Sequence, residues 1–199
     1  MLRVLQTLGW LVCAVYSTIP GYWLLIHPQA RYWRAQPRSP YRVLLPLWVS
    51  LLVIILLITT PWRRVTLYPS TWNWLPALVF FALGVWLYKS GGANFSLKQL
   101  QGVPEFTADH YEQRLVTTGI RARVRHPVYL AHLCEMLAWS IGTGLAVCCT
   151  LTAFAMFMGV FMIRAEDAEL TDRFGAAYRE YRDTVPAVLP KLGRARSRL

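Results

Sequence analysis

The sequence contains few acidic residues, and none of them occurs before Glu105. Of its 199 residues only 10 are Asp or Glu, whereas 21 are Lys or Arg, so the formal net charge is +11. Charged residues of both signs make up 16% of the chain, 55% of it is hydrophobic, and the mean hydropathy is +0.34. This balance excludes a typical soluble domain.

Cysteine is also scarce and follows no recognisable pattern. The four cysteines, Cys13, Cys134, Cys148 and Cys149, all lie within apolar runs. The sequence contains neither a CxxC pair nor the Cys/His spacing of a metal site, so it indicates neither a disulfide framework nor a bound metal. We interpret the four cysteines as small hydrophobic side chains in the interior.

Long apolar runs dominate the rest of the chain. Each run is near the roughly 17–25 residues that a helix needs to span a bilayer. The runs cover approximately residues 4–26, 43–60, 72–88, 128–144 and 145–163. The last two are continuous, and the glycines at 142 and 144 supply a turn between them. The sequence therefore predicts an all-α integral membrane protein with five transmembrane helices, the last two forming a helical hairpin.

We expect one structural unit with two parts. Residues 1–89 form an N-terminal membrane region with three spans, and residues 90–199 form a C-terminal region that contains the hairpin. With five spans, all of the 21 basic residues except Arg3, Arg63 and Arg64 fall on the same side. The positive-inside rule then predicts that the N-terminus lies outside and the C-terminus lies in the cytoplasm. A pI near 10.0 is also typical of nucleic-acid-binding proteins. Because the basic residues flank spans, we expect anionic lipids as their partners and no nucleic acid.

The strongest candidate for a ligand site begins at His126-Pro127. A residue before proline avoids helical geometry, whereas proline favours the first helical turn, so His126 is predicted to cap the fourth span. The free N–H groups of that turn and the nearby Arg121, Arg123 and Arg125 favour a carboxylate or a phosphate. A set of positive-inside anchors explains the same residues equally well.

An acidic pair, Glu166 and Asp167, follows the fifth span. Acids at a helix C-terminus beside a membrane are electrostatically unfavourable, so a cationic partner is expected. The arginines before the fourth span are one candidate, and a ligand that carries an amine is another. Because a hairpin returns the chain to the same face, we expect His126 and Glu166 to lie close together. Glu169 and Asp172 are expected to be solvated.

Two further features leave alternatives open. Glu135, about two turns into the fourth span, is expected to pair with His132 or with a group of another helix; a structural ion pair, a protonated acid and a catalytic base all fit. Beyond residue 163 an amphipathic pattern carries one apolar face, formed by Leu170, Phe174, Tyr178 and Tyr181. We interpret this segment as a solvated helix lying on the membrane in preference to a lid over the site.

The ordered motifs of the C-terminal half resemble the isoprenylcysteine carboxyl methyltransferase family, whose wider group includes phospholipid N-methyltransferases. The motifs are LVTTGI at residues 115–120, RHPVY at 125–129, WSIGT at 139–143, EDxxL at 166–170, FGxxYxxY at 174–181 and VP at 185–186.

The resemblance implies S-adenosylmethionine as cofactor, held at the cytoplasmic face. The contacts it implies come from Gln113, Arg114, Leu115, Val116, His126, Pro127, Val128, Tyr129 and Glu166. To these we add Arg121, which stands where the family usually has a tyrosine. The family also has an arginine facing the substrate carboxylate, but Met162 occupies that position here. The nearest arginine is Arg164, which we take with Glu135 as a candidate catalytic residue.

We therefore predict a membrane methyltransferase with a lipophilic acceptor that enters from the bilayer, most like isoprenylcysteine carboxyl O-methylation. A phospholipid amine N-methyltransferase is the first alternative, because an ammonium acceptor needs a base and Glu135 is available. A small non-enzymatic transporter or assembly subunit, and a sterol-type reductase that binds NADPH, are further alternatives.

Overall fold

The computed structural model describes residues 2–36, 39–68, 71–92 and 114–190. Within these ranges the chain forms helices, and none of the described residues belongs to a β-strand. The α-helices cover Leu2–Ile26 (α1), Ala30–Arg34 (α2), Tyr41–Thr59 (α3), Trp74–Gly92 (α4), Pro127–Thr143 (α5), Ala146–Phe174 (α6) and Ala176–Thr184 (α7). The prediction of an all-α fold is confirmed.

Four helical segments are long and apolar enough to cross a membrane. They are Leu2–Arg34, Tyr41–Trp62, Thr71–Gly91 and Ala146–Phe174. Their outer surfaces expose large apolar side chains such as Leu57, Val79 and Phe157, which is the surface expected of a helix in contact with lipid. The chain is therefore a multi-pass membrane protein. The predicted fourth span corresponds to α5, which has 17 residues, and the total of five spans stays a prediction.

The predicted hairpin is formed by α5 and α6. Gly144 ends α5 with φ +64° and ψ +15°, a left-handed conformation that glycine adopts without strain. Extended Leu145 then leads into α6. Between the two helices, Ser140 Oγ lies 2.9 Å from Thr152 Oγ1, a buried hydrogen bond. The antiparallel arrangement brings the start of α5 and the end of α6 to the same face.

The first helices pack directly against this hairpin. Where α1 crosses it, a buried cluster contains Trp10, Cys13, Ala14, Met136, Leu145, Val147, Cys148 and Leu151. All four cysteines are free thiols, and three of them, Cys13, Cys134 and Cys148, are buried. This agrees with their interpretation as small hydrophobic side chains.

Small residues let α4 approach α5 closely. A Cβ atom added to Gly84 would lie 3.0 Å from Glu135 Cγ, and one added to Gly91 would lie 3.0 Å from Pro127 Cγ. Ala77, seven residues before Gly84, is completely buried. Small side chains at this spacing allow two backbones to pack at short distance in a membrane, where van der Waals contact drives helix association.

The first prediction concerns the turn of the hairpin. A Cβ atom at Gly144 would collide with the carbonyl oxygen of Tyr68, and an alanine at this position would also have to adopt a positive φ. We expect Gly144→Ala to lower the free energy of unfolding by at least about 1 kcal/mol. The measurement is thermal unfolding of the purified protein in detergent.

Gly159→Ala is the matched control for this variant. Gly159 lies inside α6 and has no atom within 4 Å of an added Cβ. Alanine there should leave stability unchanged or raise it by up to about 1 kcal/mol, because glycine is unfavourable inside a helix. Equal stabilities of the two variants would contradict the described turn.

Candidate active site

The polar end of the hairpin gathers four charged side chains. His126 precedes α5 as its N-cap residue, and α6 continues beyond its apolar part to carry Glu166 and Asp167. His126 Nδ1 lies 3.2 Å from Glu166 Oε2, and His126 Nε2 lies 3.2 Å from Asp167 Oδ1. Arg125 Nη2 donates to Asp167 Oδ2 at 2.7 Å. The structure thus brings His126 and Glu166 together, as the antiparallel hairpin required, and we call these four residues the ion cluster.

The environment of His126 favours its doubly protonated form. Burial lowers the pKa of this imidazole, but the negative charge of Glu166 and the hydrogen bonds to Asp167 and Glu166 act in the opposite direction and prevail. The pKa is therefore raised from 6.5 to about 9. A carboxylate faces each ring nitrogen of His126. The imidazolium is therefore a cationic partner for Glu166 and Asp167, the acidic pair at the end of the fifth span.

A segment after α7 closes over the ion cluster. The backbone N–H groups of Arg125 and His126 donate to the carbonyls of Pro186 and Ala187, both at 2.9 Å. Arg125 Nη1 also donates to the carbonyl of Val185 at 2.5 Å. Arg125 therefore has a double function, since it pairs with Asp167 and fixes this segment.

The helix α7 contributes two buried tyrosines to the same region. Tyr178 donates its hydroxyl to Asp167, and Tyr181 donates to the carbonyl of Arg121 at 2.7 Å. Burial and the bond to Asp167 raise the pKa of Tyr178, so this phenol stays protonated and remains a donor. The helix is packed onto the site through these side chains, which favours a lid over the site and not the expected solvated helix.

Four of the other predicted cofactor residues lie beside the ion cluster: Arg121, Pro127, Val128 and Tyr129. Pro127 is buried, Val128 is half-buried, and the ring of Tyr129 stacks on His126 with centroids 5.4 Å apart. Arg121 Nη1 donates to the carbonyl of Arg125 at 3.0 Å, which places it beside the cluster.

The remaining predicted cofactor residues are not joined to the cluster. Arg114 is exposed, Leu115 and Val116 are half-buried, and no hydrogen bond or ion pair among the described residues links them to His126 or Glu166. Gln113 lies outside the described residues. Their assignment to the cofactor stays a prediction.

Glu135 is bound by a residue that the sequence pattern did not identify. Its Oε2 accepts a hydrogen bond from Tyr16 of α1 at 2.9 Å, and Tyr88 of α4 donates in turn to the Tyr16 hydroxyl at 3.4 Å. The partner is therefore a group of another helix, which was one of the two expected possibilities. His132, the other, packs its ring against Tyr16 with centroids 4.9 Å apart.

An apolar cavity of about 330 Å³ lies between α1, α5 and α6, beside the ion cluster. Its lining comes mainly from apolar side chains of these helices, including Ile19, Leu133 and Ile163, and Leu189 of the C-terminal segment contributes as well. Tyr129 lines this cavity and stacks on His126, so it connects the apolar space to the charged site. The exposed Arg164 does not line the cavity.

His27 was missed by the sequence analysis. It is buried, its ring stacks on Trp23, and neither of its nitrogens has a hydrogen-bond partner among the described residues. It lines a polar cavity of about 490 Å³ together with Glu169 and Arg34. No periodicity marked His27, because it lies in a short turn after α1.

The expectation for the two outer acids was half right. Asp172 is exposed and pairs with Arg31 at 3.0 Å. Glu169, expected to be solvated, is instead buried and paired with Arg34 at 2.6 Å and with Arg173. The correction has a simple cause, since α2 covers the face of α6 on which Glu169 lies.

The second prediction follows from the pKa of His126. Because its folded pKa is raised above its unfolded value, the ion cluster stabilises the protein fully below about pH 6.5, and this contribution is lost as the pH rises through about 9. The loss should amount to at most about 3 kcal/mol. Thermal unfolding of the wild type between pH 6 and 10 measures it.

His126→Gln supplies the comparison for this pH series. The variant should be less stable at pH 6 and should lack the loss of stability between about pH 6.5 and 9. The assignment of a buried imidazolium is wrong if the wild type and the variant keep a constant difference in stability over the whole pH range.

The geometry of the site can be compared with known proteins. No family model matches the chain, and no solved structure is detectably similar. The chain is 34% identical over 88 residues to Protein-S-isoprenylcysteine O-methyltransferase A of Arabidopsis thaliana, which covers 41% of this chain and 43% of that protein. It is 32% identical over 123 residues to Protein-S-isoprenylcysteine O-methyltransferase of Schizosaccharomyces pombe, covering 57% of this chain and 48% of the relative.

The human Protein-S-isoprenylcysteine O-methyltransferase is 31% identical over 129 residues, which is 60% of this chain and 42% of that protein. The chain thus spans less than half the length of each of these relatives. Within that limit, the similarities confirm the resemblance of this chain to the isoprenylcysteine carboxyl methyltransferase family.

Proposed function

We propose that this protein is a membrane methyltransferase that uses S-adenosylmethionine and acts on a lipophilic acceptor, most like isoprenylcysteine carboxyl O-methylation. One observation carries the proposal. A charged cluster suited to a polar cofactor and an apolar cavity suited to a lipid chain lie next to each other and share Tyr129. An enzyme that joins a soluble donor to a lipophilic acceptor needs these two environments in contact.

The ion cluster offers a buried acceptor for a cofactor ammonium group. Glu166 Oε2 is buried and pairs with His126 Nδ1 at 3.2 Å, and no other described residue donates a hydrogen bond to it. A primary ammonium donates up to three hydrogen bonds and suits such an oxygen. His126 has its own nitrogens directed at Glu166 and Asp167, so we assign it the role of holding Glu166 ionised and in place.

The first turn of α5 suits the cofactor carboxylate. The N–H groups of Val128 and Tyr129 precede the first intrahelical bond, which runs from Leu130 to the carbonyl of His126. Together with the helix dipole they favour an anion. Arg121 adds a positive charge beside this turn. These features fit the amino-acid moiety of S-adenosylmethionine, and we keep Gln113, Arg114, Leu115 and Val116 as proposed contacts on the basis of the sequence resemblance.

Bound S-adenosylmethionine would supply a methyl group already activated by the sulfonium. The residues of this chain would then chiefly orient the partners and exclude water, for which the segment after α7 and the buried Tyr178 and Tyr181 are well placed. A carboxylate acceptor needs no base. The role of Arg164 toward such a carboxylate rests on its place in the sequence, since it is exposed and does not line the cavity.

A phospholipid amine N-methyltransferase is the second candidate function. Tyr16 lines the apolar cavity and donates its hydroxyl to Glu135 at 2.9 Å, whereas Glu135 does not line the cavity. For an ammonium acceptor, Tyr16 would give its proton to Glu135 as it takes one from the acceptor. For a carboxylate acceptor, the same three-residue chain with Tyr88 serves to hold α1, α4 and α5 together.

We further propose that the ion cluster faces the cytoplasm. All basic residues except Arg3, Arg63 and Arg64 fall on the side of the cluster in a five-span arrangement. The positive-inside rule then orients the N-terminus outside and the C-terminus inside. This places the cofactor site in the compartment where a soluble cofactor is available.

The third prediction tests the cofactor. Purified protein in detergent should gain thermal stability with S-adenosylhomocysteine, since a ligand that binds only the folded state raises its stability. Glu166→Gln and His126→Gln should each weaken calorimetric binding by roughly tenfold to a hundredfold, as a charged contact is worth about 1.5–3 kcal/mol. Glu180→Gln, which changes an exposed acid of α7, is the control and should bind normally.

Glu135→Gln separates the cluster from the deeper carboxylate. This variant should bind S-adenosylhomocysteine like the wild type, because Glu135 lies roughly 13 Å along α5 from His126 at about 1.5 Å per residue. If the wild type shows neither stabilisation nor binding heat at millimolar ligand, the methyltransferase proposal is excluded, and a non-enzymatic membrane protein or a sterol-type reductase remains.

The fourth prediction tests the acceptor cavity. Gly159 lines the cavity with open space above it, so Gly159→Trp should fill it. Radiolabelled methyl transfer to isoprenylcysteine analogues should fall by at least about tenfold, while binding of S-adenosylhomocysteine persists. Gly159→Ala is the control and should remain active. Full activity of the tryptophan variant would show that the acceptor binds elsewhere, and transfer to amines of a lipid extract alone would favour the second candidate.

A further inference from the structure

Three arginines meet at the end of the bundle that lies opposite the ion cluster. Arg3 at the start of α1 and Arg63 and Arg64 in the turn after α3 line one small cavity of about 120 Å³, together with Gln6 and Thr7. The neighbouring loop lies at the closed end of the hairpin, since the N–H of Leu67 donates to the carbonyl of Gly144 at 2.8 Å. This arginine pocket therefore lies a full hairpin length from His126.

None of the described acidic residues pairs with these arginines. The chain has no acidic residue before Glu105, and none of the ion pairs of the described residues involves Arg3, Arg63 or Arg64. The opposite end of the bundle differs, because the arginines that line the cavity beside Glu169 are paired with carboxylates of α6. Three guanidinium groups around one cavity repel each other unless an anion joins them.

Trp10 also lines the arginine pocket and holds Arg63 in position. The guanidinium of Arg63 lies over the ring of Trp10, 5.3 Å from its centroid. Trp10 is itself buried and donates its indole N–H to Thr59 Oγ1 at 2.9 Å. A cation held over an indole has fewer conformations to lose when an anion binds. The guanidinium of Arg63 is therefore held in place for an anion before the anion binds.

The surroundings of the pocket indicate a lipid as the source of the anion. Leu2, Val4 and Leu8 on α1 are exposed next to Arg3, Gln6 and Thr7, so an apolar surface begins directly at the pocket. The exposed Trp72 lies in the same set of loops between α3 and α4, as is typical of the membrane interface. Phosphate groups of phospholipids lie at this depth, and a guanidinium binds phosphate through paired hydrogen bonds.

We propose that Arg3, Arg63 and Arg64, with Gln6, form a binding site for the phosphate of an anionic phospholipid, whose acyl chains lie along the exposed apolar face of α1. The site is separate from the proposed methyl transfer and does not depend on it. An anionic headgroup is favoured over a zwitterionic one because a choline or ethanolamine cation would be brought close to three arginines, none of which pairs with a described carboxylate. Bound lipid would bridge the start of α1 and the turn after α3.

The experiment compares lipid binding by wild type and variants after delipidation in a neutral detergent. Native mass spectrometry and thermal shift are recorded with phosphatidylglycerol, with phosphatidylcholine and with inorganic phosphate. We expect phosphatidylglycerol to bind and to stabilise the wild type more than either of the other two. The double variant Arg63→Gln/Arg64→Gln should bind it at least about tenfold more weakly.

The control is Arg42→Gln/Arg179→Gln, which removes two exposed arginines from the opposite end of the bundle and should leave this tight binding unchanged. Arg3→Gln, at an exposed position near the N-terminus, provides a milder second variant if the double variant folds poorly, and it too should weaken binding. Equal affinity for phosphatidylglycerol in wild type and these variants overturns the proposal. So does equal binding of phosphatidylcholine, and binding of inorganic phosphate as strong as that of the lipid would identify a site for a free anion instead.

Discussion

The ion pairs between His126 and the two carboxylates of α6 are the interaction on which the arrangement of the site depends. Buried charges are costly unless each has a partner, and removing one partner leaves the others uncompensated. Here Glu166 and Asp167 share the imidazolium, and Arg125 completes the pairing of Asp167. Arg125 also donates to the carbonyls of Val185 and Pro186 after α7. The residue that pairs with Asp167 at the open end of the hairpin therefore also holds the segment that covers the ion cluster.

A single proline sets the geometry of this cluster. Pro127 begins α5 and prevents His126 from continuing the helix, so the imidazole stands at the helix end and reaches across to α6. The close contact of Gly91 with Pro127 then places α4 against this same turn. Tyr129, one half-turn later, lies on His126 on one side and on the apolar cavity on the other. Polar and apolar binding spaces are thus separated by one aromatic ring.

Sequence reasoning succeeded where connectivity decides the outcome. The meeting of His126 and Glu166 follows from two helices of similar length joined by a glycine turn, and no knowledge of side-chain packing is needed. Sequence reasoning failed where the rotation of a helix about its axis decides which side chains meet. The periodicity of an almost uniformly apolar α1 does not specify which side faces α5, so Tyr16 was not recognised as the partner of Glu135. For the same reason Glu169 was expected in solvent, although α2 covers it.

The position of Glu135 shows how close helix packing and a polar group depend on each other. Gly84 lets α4 come within contact distance of Glu135, and this proximity brings Tyr88 of α4 to the hydroxyl of Tyr16. A larger side chain at position 84 would separate α4 from α5 and would lengthen this contact. Tyr16 would then lose the hydrogen bond from Tyr88 that supports its own bond to Glu135, in surroundings where an unsatisfied polar group is costly. The small residues of α4 are consequently as much a part of the Glu135 environment as Tyr16, which binds it, and Tyr88, which binds Tyr16, whichever acceptor the cavity receives.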